Sequence, residues 1–350
     1  MKINETPLRT SRNFNINNVN IENVEIPNNI GEFKNISILN KENVIEIFQE
    51  TNCKLTYGLG KRLENQVQTS ANKKLKIKID TKTEQENEVC FKFDEQNKNL
   101  VSNIQLVVEE NCKATIIFKY ETQEDICAFN NSVLKVFGKE NSKINIIIVN
   151  LLNEKSNNFM SIENCLEKNA KIKYTIIDFG GKNSITNYYS NLLGDNSENI
   201  INTIYLGKEN QFFDLNYIAE LRGKKTNIDI EVQGALKDNS KKHFKGTIDF
   251  KKGCKKATGN ENEACMLLSD KAKSIALPML LCSEEEVEGN HSSSAGKVGE
   301  KELFYIMSRG FELKEAMKLM VRAKFNKILN GIKNESIKNL ILEKIEEKLD

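Results

Sequence analysis

A turn sequence that recurs at a nearly constant spacing constrains the fold of this chain more than any other feature. Asn111-Cys112-Lys113-Ala114, Asn141-Ser142-Lys143-Ile144 and Asn169-Ala170-Lys171-Ile172 each open a β-rich run, and they are 30 and then 28 residues apart. Asparagine suits a recurrent tight turn, because it tolerates left-handed backbone and can bond its own main chain. Weaker copies stand at Asn196-Ser197-Glu198 and Asn239-Ser240-Lys241. Self-similarity at this period indicates stacked coils that bury their inner faces against one another.

Short β-rich runs occupy the chain from about residue 36 to 282. Apolar and polar residues alternate in most of them, which is the period of a strand with one inner face. An ordinary β-sandwich would also contain many strands, but it would not require a repeated turn. At about 25 residues per coil, we predict a β-helix of very roughly ten coils. The runs are KLKIKI at 73–78, VCFKF at 89–93, IQLVVEE at 104–110, ATIIFKY at 114–120, KINIIIVNLL at 143–152, KIKYTIIDF at 171–179, NTIYL at 202–206, NIDIEVQGAL at 227–236 and GTIDF at 246–250.

The predicted secondary structure changes from strand to helix between Leu281 and Phe325. Before this stretch the chain has the strand period, and after Gly310, a predicted helix-ending glycine, apolar residues recur at the helical period. We therefore predict three parts: an extended, Asn-rich arm at 1–35, a β-helix core at 36–298 and a C-terminal helical subdomain at 299–350. The predicted fold class is mainly β, a solenoid with an α-helical tail.

Composition excludes several classes of protein. With 51 basic and 49 acidic residues, the net charge of +2 provides no field that favours nucleic acid or a membrane surface. No apolar run approaches the length that spans a bilayer, and the first residues lack the apolar core of a signal peptide. We therefore expect a soluble, cytoplasmic protein. Its eight cysteines form no C-x-x-C pair, which argues against a disulfide framework or a common zinc site.

The sequence offers little for enzymatic catalysis. Gly58-Leu59-Gly60-Lys61 lacks the spacing of a nucleotide-phosphate loop, and a serine hydrolase could draw only on His243 or His291. A β-helical carbohydrate-active enzyme is a remote alternative, because tryptophan platforms for sugar rings are absent. A self-assembling β-helix is another, although a polar tail that caps one end would oppose stacking. We predict that the chain is not an enzyme.

The C-terminal quarter carries a specific set of residues. In order, it contains Glu286-Val287, His291, Ser293-Ser294-Ala295-Gly296, Glu300, Leu303-Phe304-Tyr305, Ser308-Arg309-Gly310 and Glu315-Ala316. Upstream, Leu267-Leu268-Ser269-Asp270 with Ala272 and Pro278 fits the same pattern. This set resembles the SufB/SufD family of iron–sulfur cluster assembly scaffolds, in its SufD-like branch.

The resemblance implies a right-handed parallel β-helix and a non-enzymatic scaffold subunit. Such a subunit would pair with a SufB-like scaffold and bind the ABC-type ATPase SufC, and an iron–sulfur cluster would be assembled transiently at the interface of the complex. A homodimeric, ancestral-type SufB/D scaffold that acts with SufC alone stays open as an alternative. Many relatives begin with a helical domain, of which residues 1–35 show little sign.

The resemblance also implies candidate site residues. His291, in a Ser/Gly segment that we predict to be a loop, matches a histidine that helps form the cluster site, and imidazole is a good ligand for iron. In SufB-type members a cysteine stands at the position of Glu263, so this chain departs from SufB there. Cys265 would share that strand face. Glu263 and Cys265 are therefore weaker candidates than His291, and His243 is expected on the surface.

The helical tail is the candidate partner surface. In the family the helical segment with the SRG block docks onto SufC, and capping the solenoid is compatible with docking, because opposite helix faces would do each. The candidate docking residues are Phe304, Arg309, Met317, Val321 and Phe325.

Overall fold

The computed structural model is mainly β-structure. It describes residues 1–8, 16–22, 24–28, 30–46 and 54–350, and within these the chain forms twenty strands, one 3-10 turn at Lys41–Asn43 and four α-helices. The helices are α1 (Lys61–Ser70), α2 (Glu300–Ser308), α3 (Leu313–Leu329) and α4 (Glu335–Leu349). The strands are β1 (Lys2–Ile3), β2 (Val19–Asn20), β3 (Ile36–Leu39), β4 (Val44–Glu46), β5 (Lys73–Ile79), β6 (Gln85–Phe93), β7 (Asn99–Val108), β8 (Lys113–Thr122), β9 (Phe129–Gly138), β10 (Lys143–Leu151), β11 (Asn157–Leu166), β12 (Lys171–Asp178), β13 (Asn183–Leu192), β14 (Glu198–Gly207), β15 (Phe212–Leu221), β16 (Asn227–Leu236), β17 (Lys241–Phe250), β18 (Ala257–Leu267), β19 (Lys273–Cys282) and β20 (Val287–Lys297).

Consecutive strands alternate between two sheets, so two strands complete one coil of a parallel β-solenoid. Sheet 1 has the order β20-β18-β16-β14-β12-β10-β8-β6-β3, and sheet 2 has the order β19-β17-β15-β13-β11-β9-β7-β5-β4. Among the described strands of these two sheets, only β3 and β4, at the first end, pair antiparallel, and β1 and β2 form a separate antiparallel pair. In-register partners in sheet 1 lie from 27 residues apart (Lys171 and Glu198) to 31 (Asn227 and Thr258). The solenoid therefore has about eight coils; the prediction of ten was wrong because each coil takes more than 25 residues.

The recurrent asparagines form the turns that lead into sheet 1. Asn111, Asn141, Asn169 and Asn196 all adopt left-handed backbone, with φ of 60°, 59°, 56° and 57°. The side-chain Nδ2 of each of these asparagines after the first donates a hydrogen bond to the side-chain Oδ1 of the preceding asparagine in the series, at 2.9–3.1 Å. The predicted copy at Asn239 was wrong, because the left-handed residue there is Asp238, in a turn that leads into sheet 2.

The outer face of each sheet is covered by a different part of the chain. The N-terminal residues and α1, which the sequence pattern did not predict, pack on sheet 2, where Leu63 and Val67 join a core with Phe129 and Phe159. Helices α3 and α4 pack on sheet 1 through apolar residues of both layers. No helix in the described part of the chain is long and apolar enough to cross a membrane. Cys53 lies outside the described residues, and the other seven cysteines are free thiols.

Candidate functional site

The solenoid ends in an open mouth formed by its last coil. Strand β20 pairs with β18 along one edge, and within the described residues no strand pairs with its other edge. Almost all of β20 is therefore exposed to solvent. His291 lies in the middle of this strand, so the predicted Ser/Gly loop was wrong. The segment forms a strand because its backbone groups bond to β18, whereas its exposure removes the apolar alternation from which a strand is recognised.

Register places three residues of β18 beside three residues of β20 on the inward face. Glu261 pairs with His291, Glu263 with Ser293 and Cys265 with Ala295. Residues in register on parallel strands point the same way. The Ser293 hydroxyl confirms this orientation, because it donates to Glu263 Oε2 at 2.9 Å. The mouth therefore brings His291, Glu261, Glu263 and Cys265 to one face of sheet 1.

A buried ion pair crosses the interior behind the mouth. Lys242 Nζ, from β17 in sheet 2, lies 2.6 Å from Glu263 Oε1, and both side chains are 0% exposed. The Tyr205 hydroxyl also donates to Glu263 Oε1, at 3.1 Å. The Lys242 ammonium lies over the rings of Tyr205 and Phe244 at 5.7 and 5.8 Å. With Ser293 added, Glu263 accepts hydrogen bonds from three side chains and is held in place by them.

Glu261 has the opposite environment. Its side chain is buried, with 2% exposure, yet neither carboxylate oxygen has a hydrogen-bond partner among the described residues. Burial, and next the charge of Glu263, raise its pKa to about 8. Gly246 on β17 makes room for it, since a Cβ there would lie 2.0 Å from Glu261 Oε2. Glu261 is therefore a buried acid with free lone pairs.

The predicted site residues do not form a complete metal site by themselves. Among the described residues, no three His, Cys, Asp or Glu side chains converge in a way that could hold a metal ion. Burial raises the pKa of the Cys265 thiol, which disfavours the thiolate that binds metals. His243 lies on β17 but faces outward, 3.6 Å from Asp214, and does not contribute to the mouth.

Sequence reasoning did not identify Lys242, Tyr205 or Glu261 as site residues. A signal existed in the strand that contains Glu261, Glu263 and Cys265. These residues alternate at the inward period, where a solenoid strand ordinarily places apolar side chains. Acids at two successive inward positions indicate an interior that is polar at this level.

The C-terminal helices carry an exposed apolar surface. No residue of α2 is buried, and Phe304 is 74% exposed. The Arg309 guanidinium lies 5.2 Å from the ring of Tyr305. Met317 is half-buried. Val321 and Phe325 are 0% exposed because they pack against sheet 1, so they hold the tail on the solenoid and offer no free surface.

These features define a class: a two-sheet parallel β-solenoid with a polar open end and a helical tail that leaves apolar side chains in solvent. Residues 91–324 match the family model described as SUF system FeS cluster assembly, SufBD core domain. Because the match covers more than half of the chain, this protein belongs to the SufBD family of iron–sulfur cluster assembly proteins.

Individual relatives are distant. The iron-sulfur cluster assembly protein SufD of Bacillus subtilis is 24% identical over 264 residues, which cover 75% of this chain and 60% of that protein. A SufBD family protein of Pyrococcus horikoshii is 26% identical over 238 residues, covering 67% and 51%. SufD of Escherichia coli is 21% identical over 244 residues, covering 70% and 58%. The chain thus spans between half and three fifths of the length of these relatives.

Proposed function

We propose that this protein is a non-enzymatic, cytoplasmic scaffold subunit on which an iron–sulfur cluster is assembled transiently. It pairs with a SufB-like scaffold through the open end of its solenoid and binds a SufC-like ATPase through its C-terminal helices. The observation that carries this proposal is the mouth, where His291 lies exposed on an unpaired edge strand beside buried acids. A second scaffold would complete both the sheet and the ligand set.

The edge of β20 favours such pairing. An unpaired strand presents a row of N–H and C=O groups that another strand can bond. In this chain the residues along that edge are small and polar, as in Ser292, Ser293 and Ser294, so a partner strand can approach closely. An incomplete ligand set fits the same arrangement, because iron bound at the contact would take its remaining ligands from the partner.

The apolar surface of the tail favours a second partner. Phe304, Tyr305, Met307, Phe311 and Leu313 are between 41% and 74% exposed. A cluster of exposed apolar side chains within one short segment is typical of an interaction site. We restrict the proposed docking surface to this cluster with Arg309 and Met317, since Val321 and Phe325 are covered by the solenoid.

Co-purification from the native host tests the partners. We expect the tagged chain to bring down an ATPase and a second, longer scaffold. A stable homodimer that binds the ATPase alone would favour the homodimeric SufB/D alternative, and recovery of neither partner would overturn the proposal.

Two substitutions locate the surfaces. Phe304→Asp should weaken ATPase binding by at least about tenfold, because it places a charge within an apolar contact. Leu193→Asp is the matched control, since Leu193 is also exposed, at 52%, but lies in a turn of the solenoid.

His291→Ala should leave both partners bound and abolish the iron–sulfur absorbance of the reconstituted complex. His243→Ala, on the outer face, should leave the absorbance intact. Clusters at normal yield in His291→Ala would remove the ligand role.

A further inference from the structure

The mouth contains two buried glutamates, and only one of them is free to bind anything. Lys242 lies 2.6 Å from Glu263, and the Tyr205 and Ser293 hydroxyls donate to the same carboxylate. A cation that bound Glu263 would have to displace the lysine or share a carboxylate with it at close range, which like charges oppose. Although Glu263 occupies the position of the SufB-type cysteine, its carboxylate is already occupied by three side-chain donors.

Glu261 is free and stands next to His291. The two are in-register partners on β18 and β20, so their side chains leave the same face of sheet 1 one strand spacing apart. Strands in a sheet are about 4.8 Å apart, which is a separation that an imidazole and a carboxylate can bridge through one ion. In the part of the chain that the structure describes, both Glu261 oxygens lack hydrogen-bond partners, although the side chain is 2% exposed. A buried polar group without partners costs free energy, so a ligand at this position would remove an existing penalty.

We infer that Glu261 and His291 together form a half-site for ferrous iron, with Glu261 as the carboxylate ligand. The inference rests on the proposed function and specifies the ligands that this chain contributes. An imidazole nitrogen with a carboxylate oxygen is a donor pair that suits iron. Glu263 stays paired with Lys242, and neither residue is part of the half-site. The remaining coordination positions are filled by water in the isolated chain and by the partner scaffold in the complex.

Equilibrium dialysis of the 350-residue chain against ferrous iron alone, under anaerobic conditions, tests the assignment. His291→Ala and Glu261→Gln should each weaken binding by at least about tenfold, as expected when a metal-site group is lost. The double variant Lys242→Met/Glu263→Gln should bind iron like the wild type. Glu261→Gln is isosteric and removes a buried acid, so it should fold; Glu261→Met provides a second test without any oxygen ligand. Circular dichroism verifies folding for each variant.

The outcomes separate the half-site from the scaffold function. Loss of binding in His291→Ala with normal binding in Glu261→Gln and Glu261→Met would overturn the role of Glu261 and leave the scaffold proposal in place. Loss of binding in the Lys242/Glu263 double variant, with Glu261 variants unaffected, would transfer the carboxylate role to Glu263. Normal binding in every variant would overturn the half-site. Failure of the proposed function would instead appear as absent partners or as normal cluster yield in the His291→Ala complex.

Discussion

The buried ion pair between Lys242 and Glu263 leads to a prediction that stability measurements can decide. Both side chains are 0% exposed, and their charged atoms lie 2.6 Å apart. Glu263→Gln leaves the Lys242 ammonium without an anion in the interior. Removing one partner of a buried pair ordinarily costs about 3–5 kcal/mol. That is a large part of the roughly 5–15 kcal/mol by which native domains are stable.

Replacing both partners should cost far less. In Lys242→Met/Glu263→Gln no charge remains, and the methionine fills the space of the lysine stem beside Tyr205 and Phe244. The glutamine has one carbonyl oxygen where the glutamate had two acceptors for the Tyr205 and Ser293 hydroxyls. One neutral hydrogen bond is therefore lost, at about 1 kcal/mol. If each single variant loses about 3–5 kcal/mol and the double variant about 1 kcal/mol, the coupling free energy between the two sites is about 5–9 kcal/mol.

Urea unfolding followed by circular dichroism measures these differences for the wild type, both single variants and the double variant. The reasoning would be refuted if Glu263→Gln cost less than about 1 kcal/mol, or if the double variant lost as much as the two single variants together. Either result would mean that water reaches the pair and screens it. Lys255→Met is a matched control, because Lys255 forms an ion pair with Glu286 in which both side chains are 53% exposed, and exposed pairs contribute at most about 1 kcal/mol.

Three further predictions concern the solenoid. Gly234→Ala should lower stability by about 1–3 kcal/mol, because the new Cβ would lie 1.8 Å from the buried Tyr205 ring; an unchanged unfolding midpoint would contradict this. Burial raises the pKa of Asp178 from 3.8 to about 6. The folded state is therefore most stable below about pH 4, where Asp178 is protonated in both states, and it loses stability as the pH rises through about 6. Asp178→Asn should therefore gain stability relative to the wild type between pH 4 and pH 7, by up to about 3 kcal/mol, and a constant difference would contradict it. Asn141→Ala should cost about 1–2 kcal/mol through its left-handed backbone and two lost ladder bonds; Asn141→Gly should cost less, and equal costs would exclude the backbone contribution.

The sequence predicted sheet 1 better than sheet 2. Most runs recognised from alternation, such as 143–152 and 171–179, belong to sheet 1. Four of the missed strands, β9, β11, β13 and β15, belong to sheet 2, and β18 and β20 of sheet 1 were missed as well. Buried positions in the missed strands of sheet 2 often hold Asn and Ser, for example Asn130 and Asn158, and these residue types are more typical of loops than of strands. These side chains are buried because they bond to each other across coils, for example Asn130 Nδ2 to Asn158 Oδ1 at 2.7 Å.

The missed strands also explain the error in the number of coils. Without these strands, the spacing of the predicted runs did not show how many strands make one coil. The number of coils was therefore estimated from a general repeat length of about 25 residues. The turn repeat itself was the better measure, since its intervals of 30 and 28 residues match the register between β8, β10 and β12. Helix α1 was missed for a different reason: its apolar face is only Leu63 and Val67, which is too short to show a period.

The candidate site was only partly predictable. His291 was identified by the family resemblance. Its position on a strand, and not in a loop, means that its neighbours are fixed by the strand register. A loop histidine would be free to move, whereas a strand histidine has a fixed neighbour, and that neighbour is Glu261. The contact between Lys242 and Glu263 joins two sheets across the interior and depends on tertiary geometry, so no local pattern could reveal it.

Two buried acids of the same solenoid illustrate how structure separates a structural carboxylate from a binding one. Asp178 accepts hydrogen bonds from Ser184 at 2.7 Å and from Asn150 at 2.8 Å, inside a stack of coils that continues on both sides. Glu261 has no such donors and lies one strand from the end of the stack. An interior coil can satisfy an inward acid with side chains from the coils before and after it. At the end of the stack, donors are available from one side only: they reach Glu263 but not Glu261, so among the described residues nothing satisfies Glu261, and its partner would have to arrive at the open end. This is the physical reason to look for the chemistry of this chain at the mouth and not along its length.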